Sequence, residues 1–372
     1  MLRRQRPAVS PPAAEQPDAE AVRPPAALAA PAPSWGERLR AGPVPWILAA
    51  GAVALLLTVP LWASGYQVKF LTELYMLITM AAAWNLIGGL AGYASFGHVA
   101  FFGLGAYTSA LTIVRLGWPF PLSLLAGTLV ALGFALLVGW PILRLRGHYF
   151  AIATFGLAEA LRQVAMAASA ITEGGKGVNV PAVPPPPVLR ELLGSSVAAN
   201  RLLFYALMLV LLGATLLVWR WVSRGRLGYG LRAIRADEDA AATLGVDCTR
   251  YKLAAFALSA VPPALAGGLY ASWINYIDPV TVFNVDYSVS MVIMTLLGGA
   301  GLLWGPVVGG VLLQVISETL WGQFLELHTA FLGTVLVLTV LFLPRGVLAL
   351  VRGGPRRPSL AALRQHLWRY SV

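Results

Sequence analysis

Charge is what this 372-residue chain has least of. Asp, Glu, Lys and Arg together supply 12% of it, against roughly a quarter in soluble domains. Cysteine is nearly absent as well. Cys248 stands alone, which excludes an internal disulfide and any cysteine-based metal cluster. The four histidines include no metal-spaced pair, and neither HExxH nor GxSxG occurs, so hydrolytic and metal chemistry have no carrier in the sequence. The run Gly174-Gly175-Lys176-Gly177 lacks both the spacing and the Ser/Thr of a phosphate-binding loop. An ATP-driven activity therefore needs its ATPase on another chain. A ladder of buried carboxylates suited to proton relay is missing too, which weighs against a proton-coupled carrier.

What fills the chain is apolar. Hydrophobic residues are 58% of it and the mean hydropathy is +0.72. Long uncharged runs such as Trp46–Trp62 and Trp118–Leu143 match the roughly 20 apolar residues that a helix needs to cross a bilayer core. Ten such runs can be read: Trp46–Trp62, Phe70–Leu90, Ala94–Val114, Trp118–Leu143, Tyr149–Ala168, Leu202–Trp221, Leu253–Trp273, Tyr287–Gly299, Leu302–Ser317 and Thr329–Leu343. The expected fold is an all-α integral membrane protein of about ten transmembrane helices, two of them short or re-entrant. Tyr287–Gly299 is the shortest run. Its 13 residues make only about 20 Å of helix.

The net charge of +11 is not spread as a nucleic-acid surface would be. With the N-terminus inside, 21 basic residues fall in cytoplasmic segments and five (Lys69, Arg115, Lys176, Arg190, Arg201) outside, while Arg162 lies within a span. That asymmetry predicts both termini in the cytoplasm. Residues 1–45 hold ten prolines and eleven alanines without apolar periodicity, the composition of a disordered tail. Residues 46–352 form the expected transmembrane domain and 353–372 a basic cytoplasmic tail.

Ionisable and amide groups at membrane depth mark candidate functional positions. Glu159 and Arg162 stand three apart in one span, on one helix face, as an ion pair or as part of a pathway. His98 lies near a span end, where access to water makes it inexpensive. Asn85 and Gln314 are interhelical hydrogen-bond partners or substrate contacts. Glycines crowd two stretches, from Gly88 to Gly105 and from Gly298 to Gly310, where small residues let helices approach closely. Pro141, Pro262, Pro263 and Pro306 are expected kinks.

The most informative polar segment is the predicted cytoplasmic loop 222–252. Leu231, Ile234 and Leu244 recur at near-helical spacing, Asp237 can cap a short helix through Asp239 to Leu244, and Gly245 can end it. The segment reads either as a solvated linker or as a docking helix for a cytoplasmic motor.

This loop resembles the coupling segment of the branched-chain amino-acid ABC transporter permeases, LivM-type branch. Four further stretches agree in order: WNLIGGLAGYASFGHVAFFGLGAYTSA from Trp84, LRLRGHYFAIATFGLAEALR from Leu143, LLGGAGLLWGPVVGG from Leu296 and FLPRGVLAL from Phe342. The resemblance spans roughly residues 46–352. It implies a non-enzymatic transport subunit of the bacterial cytoplasmic membrane, working by alternating access. Its implied partners are a second homologous permease, two cytoplasmic ABC ATPase subunits and an extracytoplasmic binding protein. It maps the ATPase contact onto Gly228–Gly245, and so onto Leu231, Ile234, Asp237, Asp239, Leu244 and Gly245. The proline-rich tail and the Pro184–Pro187 run depart from the pattern, and related permeases serve urea and short amides. The competing classes are a stand-alone secondary transporter or channel and an intramembrane enzyme.

Overall fold

The computed structural model describes residues 62–321, together with isolated positions at 56, 58–60 and between 333 and 348. The spans expected at Trp46–Trp62 and Thr329–Leu343 and both tails lie wholly or largely outside the described residues. The other eight expected spans each coincide with a helix.

Helix α1 (Gly65–Trp84) opens on a capping box. Gln67 N donates to Ser64 Oγ (3.3 Å) and Ser64 N to Gln67 Oε1 (2.9 Å), so two backbone donors at the helix start are satisfied. It runs on without a break into a π-helical turn, Asn85–Ala91, closed by Gly92 at φ 79°. Its apolar window is 94% buried, which makes it the central helix of the bundle. Then come α2 (His98–Leu116), α3 (Phe120–Ile142) and α4 (His148–Ala167), with α5 (Ser169–Thr172) and α6 (Pro187–Leu193) in a long connection. Beyond it lie α7 (Ser196–Arg224), two short helices α8 (Arg226–Ala236) and α9 (Glu238–Thr243), and the long α10 (Cys248–Ile274). The described part closes with α11 (Pro279–Val282), α12 (Val285–Gly298) and α13 (Gly305–Trp321).

Seven of these segments are long and apolar enough to cross a membrane, with α11 and α12 counted together as Pro279–Gly298, and α13 adds a shorter apolar helix. The stretch that looked too short for a span therefore gains a turn from α11, which Asp278 caps by accepting from Val280 N and Thr281 N. Among the described residues there is one small departure from an all-helical fold. Strands β1 (Val178–Asn179) and β2 (Tyr276–Ile277) pair antiparallel, Val178 opposite Ile277.

Glycine packs helices here, as expected. A Cβ on Gly105 would meet the Ala264 backbone and one on Gly267 the Phe102 carbonyl, which fixes the close crossing of α2 on α10. Of the expected kink prolines, Pro141, Pro262 and Pro263 do lie inside helices. Pro306 does not. It occupies the first turn of α13, where the missing N–H would be unpaired in any case.

The connections sort into two ends. At one, Arg115 Nη2 donates to the Ala170 carbonyl (3.0 Å) and Asn275 Nδ2 to the Val180 carbonyl (3.2 Å). At the other, the α1–α2 loop, the α3–α4 loop and α8–α9 meet around the start of α10, which is where the candidate site lies.

Candidate functional site

The loop between α1 and α2, Gly92–Gly97, is non-helical, and it buries Tyr93, Ser95 and Gly97 while Gly92 and Ala94 stay exposed. Backbone of that kind survives among apolar helices only if protein groups satisfy it. Trp84 Nε1 donates to the Ser95 carbonyl (2.6 Å), Phe96 N donates to Thr154 Oγ1 (3.0 Å), and Ser288 Oγ donates to the Phe96 carbonyl (2.7 Å). Helices α1, α4 and α12 thus hold the loop from three sides.

His98 follows directly, and its surroundings correct the expectation of a water-accessible span end. It has no exposed surface. Its Nδ1 lies 3.2 Å from Ser95 Oγ and its Nε2 3.0 Å from Ser259 Oγ, with the rings of Phe101 and Phe256 edge-on. Ser259 is seven residues beyond Lys252, about 10 Å along α10. The loop therefore dips into the bundle before α2 begins, which the apolar run Ala94–Val114 could not reveal.

Asn85 opens the π turn and is fully buried. Its Nδ2 donates to the Leu302 carbonyl (2.9 Å) and its Oδ1 accepts from Gly301 N (2.8 Å). Both ends of the amide are used on the α12–α13 loop. Gln314 lies half-buried on α13. Glu159 and Arg162 pair at 2.7 Å on α4, away from this loop, and Gln163 Nε2 also donates to Glu159 (2.7 Å).

The polar segment Arg226–Thr243 is two helices rather than one, because Asp237 breaks the chain at φ −163° and caps α9 by accepting from Ala240 N (2.9 Å). Gly245 ends that turn at φ 86°, as its position predicted. The three spaced apolar residues do not share a surface. Leu231 and Ile234 are buried in the chain's own core, while Leu244 is 83% exposed. Asp239 is exposed and pairs with Arg146 (3.0 Å).

What holds this segment to the bundle is a charged cluster that the sequence reading missed. Lys252, 4% exposed at its side chain, donates from Nζ to Glu238 Oε1 (2.7 Å), the Leu143 carbonyl (3.0 Å) and Tyr93 OH (3.1 Å). All three ammonium protons have acceptors. Tyr93 OH donates to the other oxygen of Glu238, and Arg146 Nε stands 3.6 Å from it. Burial raises the Glu238 carboxyl, but the hydrogen bonds from Lys252 and Tyr93 and the charges of Lys252 and Arg146 outweigh that and hold it below its ordinary value. One half-buried carboxylate, with the buried Lys252, thus joins α9, α10, the α1–α2 loop and the α3–α4 loop. Close by, Arg235 of α8 donates to the Gly89 carbonyl inside the π turn. The only signal in the sequence was a lysine abutting the apolar run Leu253–Trp273, with a glutamate in the preceding short helix.

A family profile described as branched-chain amino acid transport system / permease component matches residues 66–340. The chain belongs to this family. The permease is 31% identical over 322 residues to the high-affinity branched-chain amino acid transport system permease protein LivM of Escherichia coli, covering 81% of this chain and 75% of that protein. It is equally similar to LivM of Salmonella typhimurium, 31% over 311 residues, with 79% and 72% covered. Escherichia coli LivH, a permease protein of the same transport system, is 24% identical over 309 residues, 75% of this chain and 95% of LivH. No solved structure matches the chain. With its apolar helices, the permease is a multi-pass membrane protein of amino-acid transport.

Proposed function

We propose that this chain is the membrane-spanning subunit of an ATP-binding-cassette importer for branched-chain or related amino acids, set in the bacterial cytoplasmic membrane. It pairs with a second, homologous permease. Two cytoplasmic ATPase subunits drive alternating access, and an extracytoplasmic binding protein delivers the substrate. The chain crosses the membrane ten times, and the end bearing α8–α9 faces the cytoplasm. At that end the described residues include nine basic side chains: Arg144, Arg146, Arg220, Arg224, Arg226, Arg232, Arg235, Arg250 and Lys252. The opposite end has five, in line with the positive-inside rule.

The observation that carries the reading is the attachment of α8–α9. Buried apolar residues and buried charges fasten the segment inward, and its outer rim presents Leu244, Tyr229 and Asp239. A solvated linker has no need of a buried ion pair at its base, whereas a lever needs one to pass on a push. On this account Leu231, Ile234, Asp237 and Gly245 shape the segment, and Leu244 and Asp239 meet the ATPase. His98 braces the α1–α2 loop that the segment would move, and Asn85 ties the π turn to the α12–α13 loop.

The test is co-purification of the permease with its ATPase subunits. Leu244→Asp should reduce ATPase association and substrate-stimulated ATP hydrolysis while the permease remains in the membrane at wild-type level. Full association in that variant would reduce α9 to a linker.

A further inference from the structure

Helices α3 and α4 are the least covered spans of the described chain, with 28% and 22% of their apolar windows buried. Their outward faces differ in chemistry. Residues 120–142 of α3 contain no charged side chain, and the exposed surface is Leu122, Leu125, Leu129, Leu136 and Leu137 with their neighbours. Acyl chains match that face. Helix α4 buries Phe150, Thr154, Ala158 and Ala165 along one stripe. At about 100° per residue, Glu159 stands roughly opposite that stripe, with Ile152, Phe155, Gly156, Arg162 and Gln163 around it.

Depth decides what can cover this face. Glu159 lies about 16 Å of helix from His148 and about 12 Å from Ala167, and its neighbour Ala158 packs on Val99 and Ala100 of α2. A carboxylate there is near the middle of a hydrocarbon core about 30 Å thick. The ion pair neutralises the charge, but Glu159 and Arg162 remain 33% and 30% exposed. Lipid tails give such groups nothing, and intramembrane ionisable side chains turn to protein or to a water-filled cavity. Gly156 has no atom within 4 Å of the position that a Cβ would take, which leaves room for another backbone.

We infer that the outward face of α4 packs against the second permease chain, with Glu159, Arg162 and Gln163 enclosed at that interface, and that α3 faces lipid. The inference rests on the proposed pairing of two permeases. The occupant must itself be polar-tolerant protein at mid-membrane depth, and the similarity of this chain to both LivM and LivH indicates a related multi-span chain.

The test places a photo-crosslinking amino acid at Ile152 or Phe155 on α4, and at Leu129 or Leu137 on α3. The full transporter is co-expressed with both permeases tagged. Irradiation of membranes should join the α4 positions to the second permease and give no protein adduct from the α3 positions. Two positions on each helix guard against one that disturbs assembly. Lipid-only adducts from both α4 positions, adducts within this chain or between two copies of it, or a second permease captured through α3 would each overturn the assignment. If the second permease fails to co-purify with the unmodified chain, the pairing itself is wrong, and that outcome is distinct from capture through the wrong helix.

Discussion

Replacing Glu238 with glutamine removes the anion that faces Lys252 and leaves an ammonium with 4% of its side chain exposed and only neutral acceptors: Tyr93 OH, the Leu143 carbonyl and the new amide oxygen. Stranding one partner of a buried pair costs about 3–5 kcal/mol. The opposite change, Lys252→Met, strands less. Glu238 is 17% exposed at its side chain and keeps Tyr93 and Arg146, so a loss nearer the 1.5–3 kcal/mol of a charged hydrogen bond is expected. The double variant should lose less than the sum of the two, since each single change already removes the shared interaction.

Cys248 provides the assay. It is the only cysteine, it begins α10, and its Sγ lies 3.5 Å from the Glu238 carbonyl. Loosening of α9 should expose it to a thiol reagent. Because about 1.4 kcal/mol corresponds to a factor of ten in an open population, Glu238→Gln should speed labelling at least tenfold, more than Lys252→Met does. Acid should loosen the cluster too, read as a fall in thermal stability, because a thiol reacts through its thiolate and labels slowly in acid. A carboxyl held below its ordinary value of 4.5 contributes its full stabilisation above that value and loses it as pH falls through the lowered one. The cluster should therefore be intact at neutral pH and open only below about 4.5. Wild-type labelling and thermal stability in Glu238→Gln would refute the reasoning.

Asn85→Leu should lower the thermal stability of the detergent-solubilised permease by about 1–3 kcal/mol for each backbone group left unpaired at Gly301 and Leu302, whereas an unchanged transition would mean that water replaces the amide. Gly245→Ala forces a side chain into φ 86° and should cost about 1–2 kcal/mol although open space surrounds the position; equal unfolding of variant and parent would remove the strain argument. In a chain lacking Cys248 and expressed alone, a cysteine at Lys176 should react with an impermeant reagent from outside, and one at Leu244 only after the membrane is opened. Labelling of both from outside would defeat the proposed topology.

The spans were legible because apolar length is a direct requirement of the bilayer, and the cap at Asp237 and the stop at Gly245 were legible because both depend on local backbone geometry. The depth of His98 was not. Nothing local distinguishes Gly92–Gly97 from a span interior, since its side chains are small or aromatic and its bonds go to Thr154 and Ser288, distant in sequence. For the same reason Leu231 and Ile234 passed for a docking surface. Periodicity shows that a face is apolar, but only the tertiary fold shows that the π turn, α7 and α10 already cover it. The Glu238–Lys252 pair spans 14 residues and a reversal of chain direction, beyond the reach of any helix-spacing rule.

Energy coupling separates an ATP-driven importer subunit from a stand-alone carrier. Uptake of a labelled branched-chain amino acid should be measured in proteoliposomes holding both permeases and both ATPases, with the binding protein outside and ATP inside. Uptake should require ATP and both ATPase subunits, and should fall together with ATP hydrolysis in Leu244→Asp. Undiminished uptake by this chain without the ATPases would contradict the proposal and identify it as a stand-alone carrier.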